Sequence, residues 1–271
     1  MASAPNLRWL QQWGAGADWL PRYPDVQESA LILTNASGIH AVPISEHIFA
    51  FLLMFARRFA DSVRAQDERI WIENPWLRAH GTTIQPNERF SAEIGKNDLF
   101  ELAGKTLLIA GVGAIGARVA KLAKAFDMYV IGMRRRADGD MANVDHLITS
   151  AQLLDALPEA DFAVNTLPMT TATHHIFDRG AFAAMKPSSY YSNIGRGGTS
   201  DEVALIAALR NGEIAGAGLD VFEQEPLPTD SPLWAMNNVI ISSHFSGLTP
   251  EYDNRALEIF LDNLERYQSG K

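Results

Sequence analysis

Two hydrophobic patterns alternate along the chain. Short apolar runs occupy Thr106-Leu107-Leu108-Ile109-Ala110, Met128 to Met133, Phe162 to Leu167, Ser189 to Ile194, Gly216 to Asp220 and Val239 to Ser242. Their length and continuity predict strands buried on both faces. Between them, Ile115 to Phe126, Ala151 to Leu157, Arg179 to Met185 and Asp201 to Asn211 carry the spacing of helices. A strand with no polar face cannot lie against water, so helices must cover both sides of one sheet. The expected fold class is α/β, with a doubly wound parallel sheet. Upstream, Leu7 to Trp13 and Leu31 to Thr34 predict strands around the loop Gly14-Ala15-Gly16-Ala17-Asp18. Ser45 to about Ile72 predicts one long helix, apolar through Ile48, Phe49, Leu52, Leu53, Phe55, Ala56 and Phe59, then polar. Segment 73–100, with Pro75, Gly81, Pro86 and Gly95, reads as an irregular crossover between two domains. Arg255 to Tyr267 predicts a closing helix.

Composition narrows the class. A length of 271 residues accommodates two domains, and 47% apolar with 20% charged residues is a globular composition. The net charge of −9 argues against nucleic acid or an anionic membrane as partner. Without cysteine there is no disulfide, thiolate ligand or cysteine nucleophile. Met1 to Trp9 lacks the form of a secretory signal, and the longest apolar stretch, Ile48 to Ala56, is too short to span a bilayer. A cytoplasmic protein is expected. His174 and His175 are adjacent and have no ligand spacing around them, so no metal site is expected.

Gly111-Val112-Gly113-Ala114-Ile115-Gly116 follows a predicted strand and opens a predicted helix. In that setting the first glycine permits the tight turn, the second lets a pyrophosphate approach the backbone, and the third lets helix and strand pack closely. A dinucleotide is the expected cofactor. The next strand runs into Arg134-Arg135-Arg136, with Arg134 standing 23 residues after Gly111. An acidic residue there would bind the ribose 2′-hydroxyl, whereas arginine accepts a 2′-phosphate. NADPH/NADP+ is therefore the preferred cofactor, with NAD second; the other reading of the three arginines is a solvated turn.

Later motifs carry a family resemblance. Asn193-Ile194-Gly195-Arg196-Gly197-Gly198, Gly218-Leu219-Asp220-Val221-Phe222-Glu223-Gln224-Glu225-Pro226 and Ser243-His244-Phe245-Ser246-Gly247 resemble the D-specific 2-hydroxyacid dehydrogenases. Ser45-Glu46-His47 and Thr166-Leu167-Pro168-Met169-Thr170 stand in the family's order, and the resemblance covers nearly the whole chain. It implies a Rossmann nucleotide domain and a smaller flavodoxin-like substrate domain. It also implies Arg196, Glu225 and His244 as the catalytic constellation, separated by 29 and 19 residues. Their chemistry suits reduction of a 2-oxo acid. Arg196 pairs through its planar fork with carboxylate and carbonyl oxygens, and His244 gives a proton to the forming alkoxide. Glu225 holds the tautomer of His244 and favours its protonated form.

The resemblance further implies cofactor contacts from Gly111, Gly113, Ala114, Ile115, Gly116, Thr166, Leu167, Pro168, Thr173, Ile194, Gly195, His244 and Ser246. Asp220 is implied to bind the nicotinamide carboxamide. Ala15, Gly16 and Ala17 resemble the carboxylate-binding loop, and His40 stands close to it, as a substrate contact or a loop histidine without a role. The implied activity is that of a glyoxylate/hydroxypyruvate reductase-like enzyme, as a homodimer formed through the helix from Ser45. The expected division is a substrate domain of residues 1–72 and 248–271 and a dinucleotide domain of residues 73–247. Against the family pattern, the chain starts at what resembles the third element of the substrate lobe, so about fifty residues are expected to be missing and one sheet edge to be exposed. Ser243 stands where proline is frequent, and Asp127 where glycine usually ends the first nucleotide helix. The alternative function is a non-catalytic, dinucleotide-sensing corepressor-like scaffold on the same fold.

Overall fold

The computed structural model describes residues 4–17, 19–69, 71–72 and 99–270. The crossover expected over 73–100 lies outside the described residues, except for Leu99 and Phe100.

Seven strands form the main sheet: β3 (Thr106–Ala110), β4 (Tyr129–Met133), β5 (His146–Ile148), β6 (Phe162–Asn165), β7 (Tyr190–Asn193), β8 (Gly216–Leu219) and β9 (Val239–Ile241). All are parallel, in the order β5-β4-β3-β6-β7-β8-β9. The alternation of side chains along β3 explains why it reads as wholly apolar. Leu108 and Ala110 join the core on one face, while Leu107 and Ile109 join the core on the other. Helices α4 (Ala114–Ala125), α5 (Leu153–Ala156), α6 (Arg179–Ala184) and α7 (Glu202–Asn211) connect the strands. Chain order reverses between β3 and β6, which opens a crevice beyond the carboxyl ends of the strands.

A second, two-stranded parallel sheet pairs β1 (Trp9–Gln11) with β2 (Ile32–Thr34), with the short helix α1 (Pro24–Gln27) between them. The C-terminal helix α8 (Tyr252–Gln268) supports it. Trp9 stacks on Phe260 and Tyr267 with ring centroids 5.6 and 5.1 Å apart, and Asn263 donates to Gln11 at 2.9 Å. Leu7, Leu10, Trp13 and Ile32 in this lobe remain exposed.

Three expectations change. The helix expected from Ser45 to about Ile72 starts earlier and is broken. Its first part, α2, is Ala41–Ala56, and its second, α3, is Phe59–Asp67. Arg58 turns the chain with φ +54 and donates from Nε to Asp61 at 2.5 Å, a turn that neither glycine nor proline announces. Most of the apolar face of α2 is then consumed inside the chain: Ile44, Ile48, Phe49, Phe51, Leu52 and Phe55 share one buried core with α4 and with side chains of β3, β4 and β6. The helix expected over Ala151 to Leu157 is the short α5 between two 3-10 turns, the second of which contains Pro158. Strand β5 was not expected at all; it is a three-residue edge strand in which only Ile148 is buried. Asp127 adopts φ +55, the left-handed conformation for which the family pattern uses glycine.

Candidate active site

The cofactor turn is built by close backbone approach. Gly111 has φ +104, and a Cβ there would stand 2.9 Å from Thr166 Oγ1. A Cβ at Gly116 would run into the Gly111 carbonyl, whereas one at Gly113 would meet nothing within 4 Å. Gly113 is also the extended N-cap of α4, and no described side chain caps that helix. Open space in front of uncapped amides at a helix start is the setting in which a pyrophosphate binds. The neighbouring turn is pinned to the first: Thr166 donates to the Gly111 carbonyl at 2.6 Å, and Thr173 donates to the Pro168 carbonyl at 2.6 Å.

Arg134 donates to the Asp138 carbonyl and lies 3.8 Å from its carboxylate, yet its buried Nε has no partner among the described residues. Arg135 and Arg136 are exposed beside it. An orphaned guanidinium nitrogen next to two solvated arginines fits a phosphorylated ribose. The residues present therefore suit a dinucleotide at both its pyrophosphate and its adenosine end.

Beyond the strand ends lies a cleft of about 710 Å³. Ala15, Gly16, Ala17, His40, Ile115, Thr166, Leu167, Pro168, Ile194, Gly195, Arg196, His244 and Ser246, all expected site residues, line it. In the loop after β1 the carbonyls are occupied: Asn35 donates to Ala15, Gln12 to Gly16 and the Leu20 amide to Ala17. The amides of Ala15, Gly16 and Ala17 donate to no described residue, so they can receive an anion.

Arg196 follows β7 in a turn held by its own backbone. Its carbonyl accepts from Asn193 Nδ2 at 3.1 Å and from Thr199 Oγ1 at 2.6 Å, while Nη1 donates to the Gly195 carbonyl at 2.8 Å. Beneath it is a buried polar network. Tyr191, fully buried, meets Ser200 Oγ at 2.6 Å and accepts from Asn165 at 2.9 Å, which also donates to Thr199 at 2.8 Å. Burial pushes the Tyr191 phenol well above its ordinary value, so it stays protonated.

His244 has φ +53 and donates from Nδ1 to Glu225 Oε2 at 2.6 Å; the other Glu225 oxygen accepts from the Phe222 amide at 3.0 Å. Glu225 itself stands behind the histidine, outside the cleft lining. With Nδ1 engaged, Nε2 is the polar atom that the ring offers to the cleft. The backbone of His244 is anchored to the Asp220 carbonyl at 2.9 Å.

Asp220 differs from expectation in its surroundings. It is fully buried and does not line the cleft. Its carboxylate accepts from Ser242 Oγ at 2.6 Å, from the Phe245 and Ser246 amides at 3.1 Å each, and from Ser246 Oγ. It thus clamps the turn that carries His244. Behind it His47 reaches Ser242 Oγ at 2.8 Å. The Ser242 hydrogen is committed to Asp220, so His47 Nε2 must be the donor. Burial pushes the His47 imidazole below the ordinary histidine value, against the opposing field of Asp220. Pro21, Asn35, Met169, Gly247 and Leu248 also line the cleft and were not anticipated. Met169, Gly247 and Leu248 adjoin motifs that were read, so proximity in sequence was the available signal; Pro21 and Asn35 had none.

Residues 49–246 match the family described as D-isomer specific 2-hydroxyacid dehydrogenase, NAD binding domain. The chain is 35% identical over 277 residues to the glyoxylate/hydroxypyruvate reductase B of Pectobacterium carotovorum subsp. carotovorum, over 99% of this chain and 78% of the relative. A D-isomer specific 2-hydroxyacid dehydrogenase family protein from Aeromonas salmonicida subsp. salmonicida superposes with a TM-score of 0.78 at 35% identity, covering 100% of this chain and 78% of that one. The D-isomer specific 2-hydroxyacid dehydrogenase of Xanthobacter autotrophicus Py2, in complex with NADPH and MES, gives 0.79 at 28% identity, over 100% and 77%. The non-catalytic scaffold alternative gains no support from these likenesses. The chain belongs to the D-isomer specific 2-hydroxyacid dehydrogenase family, and is an oxidoreductase that exchanges hydride between a nicotinamide dinucleotide and a small D-2-hydroxy acid or its 2-oxo acid.

Proposed function

We propose that this cleft reduces 2-oxo acids of the glyoxylate and hydroxypyruvate type with NADPH, and that NADH serves less well. The observation that carries the reading is the Glu225–His244 pair, 2.6 Å apart, whose histidine lines the cleft together with Arg196 and with Ala15, Gly16 and Ala17, the amides of which donate to no described residue. The three amides receive the substrate carboxylate. Arg196 spans carboxylate and keto oxygens and draws electron density from C2. NADPH, when bound, supplies the hydride for C2. His244 releases its Nε2 proton to the keto oxygen as negative charge develops there, and Glu225 stabilises the imidazolium beforehand. Gly111, Gly113, Ala114, Ile115 and Gly116 would hold the pyrophosphate, and Arg134, Arg135 and Arg136 the 2′-phosphate. Thr166, Leu167, Pro168, Thr173, Ile194, Gly195 and Ser246 would flank the rest of the cofactor. Asp220 would act on the nicotinamide end through the turn it clamps.

Residues 1–72 with 248–271 form the substrate lobe in this reading and residues 73–247 the dinucleotide lobe, with α2 anchored by its packing on the second. Assembly as a cytoplasmic homodimer without nucleic-acid partners belongs to the same proposal. Since α2 buries most of its apolar face internally, the dimer contact falls to the exposed Phe59, Val63 and Trp71. No described helix is long and apolar enough to cross a membrane. The test is consumption of NADPH by the purified chain with glyoxylate, hydroxypyruvate and pyruvate. Turnover with at least one acid supports the reading, and cofactor binding without turnover on any of them refutes it.

A further inference from the structure

His40 has a geometry that the reduction chemistry leaves unused. It is the N-cap residue of α2, half-buried, and its ring lines the cleft together with Arg196 and His244. Nδ1 lies 3.1 Å from the Gly247 carbonyl, three residues after His244. A carbonyl only accepts, so Nδ1 carries the hydrogen, and in the neutral ring Nε2 carries the lone pair. No described residue bonds to Nε2. The ring is held in this orientation from two sides. Tyr252 packs against it with centroids 5.4 Å apart, and the Gly247 backbone is so close that a Cβ there would stand 2.8 Å from Nδ1.

Nε2 of His40 is thus an oriented acceptor on the same cleft as several donors. The amides of Ala15, Gly16 and Ala17, which donate to no described residue, the Arg196 guanidinium and Nε2 of a protonated His244 are donor groups of residues on this cleft. Both the carboxylate and the keto oxygen of a 2-oxo acid accept, so neither finds a partner in Nε2. A donor further along the substrate does. We infer that His40 is a specificity-determining residue that selects 2-oxo acids bearing a hydroxyl on C3 by accepting its hydrogen at Nε2. The inference rests on the 2-oxo acid reading above and adds the substituent that the cleft favours. A site equipped to pair with a hydroxyl discriminates against the analogue that lacks it, because its own acceptor is then left desolvated and unpaired.

Hydroxypyruvate and pyruvate differ only by that hydroxyl, so the readout is the ratio of their kcat/KM values with NADPH. His40→Phe keeps an aromatic ring against Tyr252 but removes both nitrogens; the ratio should fall by about tenfold, the value of one lost hydrogen bond. Gly247→Ala pushes on the ring without changing its chemistry and should lower the ratio in the same direction, so the result does not depend on one variant folding. Glyoxylate, which has no C3, reports separately on the reaction itself. A ratio that stays within about twofold of the parent in both variants, while glyoxylate is still reduced, overturns the role of His40 and leaves the reductase reading standing. Failure of the parent chain to reduce any of the three acids removes the reductase reading and this inference together.

Discussion

Glu225→Gln keeps the size of the side chain and removes its charge, which isolates what the carboxylate does for His244. In the parent, Glu225 Oε2 accepts from His244 Nδ1 at 2.6 Å while Oε1 accepts from the Phe222 amide at 3.0 Å, so both oxygens face donors. A glutamine satisfies only one of them. Turned so that its oxygen meets His244, it points its NH2 at the Phe222 amide; turned the other way, it points a donor at Nδ1. A charge-assisted hydrogen bond contributes about 1.5–3 kcal/mol, or about ten- to 150-fold in rate at 1.4 kcal/mol per decade. The pair is partly solvated, with the His244 and Glu225 side chains 51% and 34% exposed. Water therefore screens part of the effect, and a fall in kcat of about ten- to thirtyfold is expected. The assay is loss of nicotinamide absorbance at saturating NADPH and 2-oxo acid, in the single variants and in the double variant with His244→Ala. If Glu225 acts through His244, its substitution should add little once the histidine is gone. Near-parental kcat in Glu225→Gln, or full additivity in the double variant, would refute the coupling.

Three further outcomes are expected. Arg134→Asp removes a phosphate partner and supplies an acceptor for a 2′-hydroxyl, so kcat/KM should turn from NADPH toward NADH by at least about tenfold; an unchanged preference means that Arg134 does not face the ribose. Tyr191→Phe leaves Ser200 and Asn165 each short of a partner in the buried network, and denaturant titration should show a loss of about 1–3 kcal/mol; an unchanged midpoint contradicts the network. His47 is held below its ordinary value, so the unfolded chain binds more protons than the folded one as pH falls below about 6.5. Its contribution to stability is complete above that pH and is lost as pH drops through the lowered folded value, and His47→Gln should reduce the slope of melting temperature against pH over that interval; an identical slope in both proteins removes His47 as its source.

The strands from β3 onward, β5 excepted, were legible because burial on both faces leaves an almost continuous apolar run, as in Leu107 to Ala110 and Phe162 to Val164. Strand β5 was not, since His146 is exposed, Leu147 half-buried and only Ile148 buried, too little to stand out from a loop. The break after Ala56 escaped notice because Arg58, not glycine or proline, takes the left-handed turn. In the site, the arginine, glutamate and histidine were legible through short motifs at strand ends, where local sequence and chemistry coincide. Pro21 and Asn35 were not, because their place on the cleft depends on how the small sheet sits against the loops after β6, β7 and β9, which no local pattern encodes. The same limit applies to Asp220. Its motif named it, but only the fold shows that Ser242, Phe245 and Ser246 occupy its oxygens and make it a clamp for His244.

The central claim is that His244 delivers the proton in a reduction carried out on this cleft, and the most direct measurement is kcat for a 2-oxo acid in His244→Ala, taken together with NADPH affinity by fluorescence. A positioned general acid contributes about 10²–10⁴-fold, so kcat should fall by that factor while NADPH binds almost as tightly as to the parent, because the helix start at Gly113 and the Arg134 turn are untouched. Near-parental kcat would contradict the account.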